Sequence, residues 1–155
     1  MHVAIVAVAV ALADLRSGTL RIHNERLRDV VRVMLARSAT FRTMIERLER
    51  SNVFVYIEVG QCPSSLVVSC ANLMGGAGGY RYVRVAISLK HEWPVIACQI
   101  AHELQHALEI AEAPDVIDER SLAGLYRRIG HVSGVNSFET IDALAVQRRV
   151  CRELR

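Results

Sequence analysis

Residues 80–112 read YRYVRVAISLKHEWPVIACQIAHELQHALEIAE, and a change of period within this stretch decides the fold. In its first part Tyr82, Val83, Val85 and Ile87 stand against Arg81, Arg84 and Ser88, which predicts a strand over Tyr80 to Leu89. Lys90-His91-Glu92 interrupts the pattern, and Pro94 suits the first turn of a helix, where its missing N–H costs nothing. Val95, Ile96, Ile100, Ala101, Leu104, Ala107 and Leu108 then recur at helical spacing. They predict a helix running to about Glu112 and stopping before Pro114.

His102-Glu103-Leu104-Gln105-His106 lies in the middle of that helix. Residues four apart sit one turn above each other on one face, so two imidazoles there can converge on one metal ion. Glu103 projects beside them, where it can take a proton from water at the metal. With this chain's own His and Glu content the pattern arises by chance about 0.02 times per sequence. Two ordinary histidines on a half-exposed helix face are the bland alternative.

On this motif, the strand before it and a later helix carrying an acid, the C-terminal half resembles the zincin metallopeptidases. The resemblance implies His102 and His106 as zinc ligands and Glu103 as general base and acid. It also implies that the strand before the motif helix is an edge strand along which an extended peptide pairs. A catalytic zinc site has a third protein ligand and an open position. The metzincin pattern, with Gly and a third His soon after the motif, fails, because Ala107-Leu108-Glu109-Ile110-Ala111-Glu112 follows His106. The gluzincin pattern takes a Glu from a downstream helix, and Glu139 at the start of the last helix fits that place best. Asp142, one turn on, is then a candidate to hydrogen-bond a ligand imidazole.

Other side chains compete for these roles. Glu109 and Glu112 follow on the motif helix, but one straight helix rarely supplies three ligands to a tetrahedral ion. His131, in the loop after Gly130, is a candidate ligand or oxyanion donor, as is Tyr126, which otherwise belongs to the core. Cys98 lies one turn before His102 and reads as a buried thiol packed on the sheet.

Outward from the motif, Thr19 to Ile22 is a short extended segment. Asn24 caps a helix bearing Leu27, Val30, Val31, Met34 and Leu35, and Ser38 or Thr40 caps a second with Phe41, Met44, Ile45 and Leu48. Val53 to Val59 alternates as a strand with both faces largely apolar, and Leu66 to Ala71 reads as another. Gly75 to Gly79 reads as a flexible loop, without the spacing of a phosphate-binding loop. Asp115 or Asp118 begins a helix ending at Gly130. Ser133 to Ser137 is a loop, and Ser137 caps a last helix carrying Phe138 to Leu154. Strands grouped rather than alternating with helices predict an α+β fold, with a small, mostly antiparallel sheet packed against helices and the motif on a central helix.

The chain's 155 residues fit one domain, taken as 16–155, after an apolar segment 1–15. A hydrophobic content of 52% excludes disorder, and no apolar run reaches the roughly 18 residues of a membrane span. Of the 19 basic residues Lys90 is the single lysine, a skew that reflects a GC-rich genome. Arg16 to Arg50 holds nine arginines against four acids. It reads as solvated helix faces rather than a nucleic-acid stripe, so a basic membrane- or nucleic-acid-associated protein is a weak reading. Cys62, Cys70, Cys98 and Cys151 form no CxxC pair and leave the redox compartment open. Val3 to Ala13 resembles the core and cleavage site of an export signal, or else is an ordinary buried element. The compartment is accordingly cytoplasmic, or periplasmic or secreted.

The expected function is therefore a small zinc-dependent hydrolase, a peptidase acting on a peptide or protein, with Zn2+ as cofactor. The alternative is a zinc-binding protein of similar fold without peptide hydrolysis. Glu103 tells against the alternative, since a purely structural site has no use for a carboxylate there.

Overall fold

In the computed structural model, which describes residues 18–64, 66–134 and 137–155, extended segments gather into one main sheet and a separate hairpin. The sheet holds β1 (Leu20–Ile22), β2 (Val53–Val59), β3 (Ser69–Ala77) and β4 (Tyr80–Ile87) in the order β1-β2-β4-β3. The hairpin pairs β5 (Gly130–Gly134) with β6 (Ser137–Thr140). The helices are α1 (Glu25–Arg37), α2 (Ala39–Glu49), α3 (Trp93–Glu112), α4 (Glu119–Ile129) and α5 (Ile141–Glu153). The class is α+β, as expected. Among the described residues no helix is long and apolar enough to cross a membrane. The apolar segment Val3 to Ala13 lies outside the described residues.

Strand alternation builds the core. Val53, Val55 and Ile57 of β2 and Val83, Val85 and Ile87 of β4 are buried on one face. They share a core with Val31 and Met34 of α1, Phe41 and Leu48 of α2, and Ile96, Ile100 and Leu104 of α3. The opposite face of β2 is half-exposed rather than apolar core: the Phe54 and Tyr82 rings stack at 5.7 Å, and the Arg21 guanidinium lies over Phe54 at 4.7 Å. Side-chain caps start the helices. Asn24 Oδ1 accepts from Leu27 N at 3.1 Å, Ser38 Oγ from Phe41 N at 2.9 Å and Asp118 Oδ1 from Ser121 N at 2.8 Å.

Four expectations need correcting. The main sheet is mixed rather than mostly antiparallel, because β1–β2 and β2–β4 are parallel and β3–β4 is antiparallel. The α1–α2 pair is a crossover between β1 and β2, and a three-residue β1 hides this in the sequence. The strand before the motif helix, β4, is not an edge strand. It is inserted between β2 and β3, and β3 takes the edge. The glycine run is largely strand: β3 extends to Ala77 through a bulge between Leu73 and Gly75. Only Gly78 and Gly79 turn, at φ 60° and 81°, as a two-residue hairpin with positive φ at both positions demands. Finally, the segment before the last helix is not a loop but the β5–β6 hairpin, and Thr140 rather than Ser137 caps α5, accepting from Ala143 N at 3.1 Å.

Two disulfides brace this frame. Cys62–Cys70 ties the loop after β2 to the start of β3, and Cys98–Cys151 ties α3 to α5. Cys98 is thus a bonded cystine half, not the buried thiol the sequence suggested.

The C-terminal end of α3 is finished from within the sheet. Arg81, 3% exposed on β4, donates to the carbonyls of Ile110 at 2.6 Å, Ala113 at 2.7 Å and Val116 at 3.2 Å, and to Asn52 Oδ1 at 2.7 Å. A cation there also answers the negative end of the helix dipole. Replacing it with Met strands several buried carbonyls at once. Arg81→Met should lower unfolding stability by about 3 kcal/mol or more in a urea titration.

Candidate metal centre

Helix α3 is buried along most of its length, from Ile96 to Ile110 almost without a break. Its apolar side chains pack on the sheet, which fixes the rotation of the helix and directs His102, Glu103 and His106 away from the apolar core. All three are nevertheless buried, at 8%, 5% and 6% exposure. The hairpin supplies the facing side chain, Glu139 of β6.

His102, His106 and Glu139 converge. The two Nε2 atoms lie 3.2 Å apart, and Glu139 Oε1 is 3.4 Å from His102 Nε2 and 3.9 Å from His106 Nε2. Donors about 2.0–2.2 Å from a tetrahedral ion are separated by about 3.3–3.6 Å. One edge of the triangle matches that spacing, one is slightly shorter and the third is slightly longer. The residues fit a divalent cation.

The other side of each ring explains why its Nε2 is free to face inward. His102 Nδ1 lies 3.0 Å from Gln147 Oε1 of α5, and His106 Nδ1 lies 2.8 Å from Glu109 Oε2. Both acceptors call for a proton on Nδ1, which leaves the Nε2 lone pairs pointing at Glu139. Glu109 Oε1 in turn accepts from Thr140 Oγ1 at 2.6 Å. The Thr140 N–H donates to Glu139 Oε1 at 3.0 Å. Thr140 therefore joins the hairpin, the α5 cap and the carboxylate behind His106.

Electrostatics reflect this crowding of acids and imidazoles. Burial pushes the Glu103 carboxyl above the usual carboxylate range, against the pull of the His102 imidazole and the Ser69 hydroxyl. Burial also acts to lower His106, but the hydrogen bond and charge of Glu109, with Glu103 and Glu139 behind it, carry the net shift upward. The Tyr126 ring packs edge-on against His106 at 5.5 Å and stacks on Phe138 at 5.5 Å. Burial, then the surrounding carboxylates, keeps its phenol protonated.

The structure brings His102, His106 and Glu139 together with Glu103 beside them, but Glu139 comes from a strand rather than from a helix start. Asp142 is exposed in the first turn of α5, so the expectation that it supports a ligand imidazole is corrected: Gln147 and Glu109 hold those places. His131 is exposed on β5, directly across the hairpin from Glu139 and outside the converging triad. Glu112 is turned outward to an ion pair with Arg47. Gln147, Thr140 and Ser69 escaped the sequence reading. Only Thr140 carries a local signal, as a capping residue type just before a helix.

Compared with protein-family models, with curated proteins and with solved structures, the chain matches none. What the site does rests on its geometry. If Gln147 fixes the ring of His102, Gln147→Met should weaken zinc affinity by about 10- to 100-fold in competition with an indicator dye. An unchanged affinity would remove that role.

Proposed function

We propose that the chain is a small zinc-dependent hydrolase of the zincin metallopeptidase kind, acting on a peptide or protein. The observation that supports this most is the triangle of His102 Nε2, His106 Nε2 and Glu139 Oε1 with the buried Glu103 carboxyl next to it on α3. Two imidazoles and one carboxylate suit zinc better than magnesium or calcium, which prefer oxygen sets, and three protein donors leave a fourth position open. Zinc bound there supplies a Lewis acid that acidifies water and polarises a carbonyl.

The chain's own residues supply the proton chemistry. Glu103 sits one residue after His102 and does not belong to the converging set. Its buried carboxyl, raised in proton affinity chiefly by desolvation, is suited to accept a proton from the attacking water and return it to the leaving amine. Gln147 and Glu109 hold the imidazoles in the tautomer that keeps Nε2 free. The sheet edge supports the substrate class. β3 is an edge strand, and its first residue, Ser69, donates to Glu103 Oε1 at 2.6 Å. An extended peptide adding to that edge would pass the carboxyl.

Protein purified with zinc supplied should carry about one zinc per chain, as a single three-donor site requires. Glu139→Ala should lose the metal. Glu103→Gln should keep it but lose about 100- to 10,000-fold of the hydrolysis of a quenched fluorescent peptide library. A folded wild type that takes up no metal would overturn the reading. Full zinc without turnover of any peptide would leave a zinc-binding protein rather than a peptidase.

A further inference from the structure

We propose that Ser69 is a positioning residue for Glu103, fixing the direction of its carboxyl from the sheet edge, with Gln99 as the second partner of its hydroxyl. This rests on the reading of Glu103 as the general base. The Ser69 Oγ lies 2.6 Å from Glu103 Oε1 and 2.9 Å from Gln99 Oε1. Gln99 and Glu103 are one turn apart on α3, so both acceptors face β3 together. A hydroxyl has one proton to give and lone pairs to receive. That proton goes to the Glu103 carboxylate, and the Gln99 side-chain amide lies against the same hydroxyl.

The support for Ser69 is rigid. It pairs with Ile87 in the β3–β4 register, and the backbone N–H of Ser88 donates to the Val68 carbonyl at 2.9 Å. Cys70, the next residue, is bonded to Cys62. The serine is 8% exposed and the glutamate 5%, so water does not readily replace the contact.

The test uses full-length protein loaded with zinc, comparing wild type, Ser69→Ala, Ser69→Thr, Gln99→Met, Glu103→Ala and the Ser69→Ala/Glu103→Ala double variant. Ser69→Ala should keep its zinc and, loaded with cobalt(II) instead, an unchanged visible absorption, since Ser69 touches none of the converging donors. On a quenched fluorescent peptide that wild type cleaves, kcat should fall about tenfold with KM within about twofold, the loss of one hydrogen bond to a charged group. Ser69→Thr should recover most of kcat, and Gln99→Met, which leaves β3 untouched, should lower it less. Thermal unfolding provides a reading independent of turnover: Ser69→Ala should lower the midpoint in wild type but hardly at all in the Glu103→Ala background. Equal drops in both backgrounds, or wild-type kcat in Ser69→Ala, would overturn the proposal. If wild type cleaves no peptide, the peptidase reading fails by itself, and the proposal fails with it because it assigns Glu103 a proton-transfer role; coupled midpoints would then show a structural contact only.

Discussion

Three electron-pair donors, two imidazole nitrogens and a carboxylate oxygen, meet within 3.2–3.9 Å in a buried place. Such atoms repel one another unless something positive stands among them, and desolvation sharpens the repulsion. A divalent cation would answer it, and the Nδ1 partners Gln147 and Glu109 leave both Nε2 atoms free to face one. The remaining structure makes sense as the frame that keeps these donors close in spite of their repulsion.

That frame is assembled from distant parts of the chain. The sheet and the apolar face of α3 set where the two histidines point. The hairpin brings Glu139, and Thr140 fastens the hairpin to α3 through Glu109 while capping α5. Cys98–Cys151 joins α3 to α5 one turn from His102 and one turn from Gln147, the two residues whose side chains meet at 3.0 Å. Arg81 closes the far end of α3 from the sheet. In the reading proposed here, a buried carboxyl beside such a centre turns a binding site into a hydrolytic one.

The sequence showed the parts that depend on local spacing. His102, Glu103 and His106 are legible because residues four apart must share a helix face, and the caps at Asn24 and Asp118 because capping is a matter of three residues. Glu139 was legible as a residue but not as part of a strand. A four-residue β6 is too short to show a period, and an acid before an apolar run resembles a helix start. Gln147 and Ser69 lie 45 and 34 residues from their partners, so no local pattern marks them. The parallel pairing of β1 with β2 was hidden for a similar reason: its whole signal is three residues followed by two helices.

X-ray absorption at the zinc edge of the metal-loaded protein reads the ligand set itself. Scattering should come from two imidazoles, with nitrogen and oxygen neighbours at about 2.0–2.2 Å and no sulfur, since every cysteine is in a disulfide. In Glu139→Ala, which should not hold the metal, the edge signal should be lost. A spectrum without imidazole scattering, or one dominated by sulfur at about 2.3 Å, would contradict a site built from His102, His106 and Glu139.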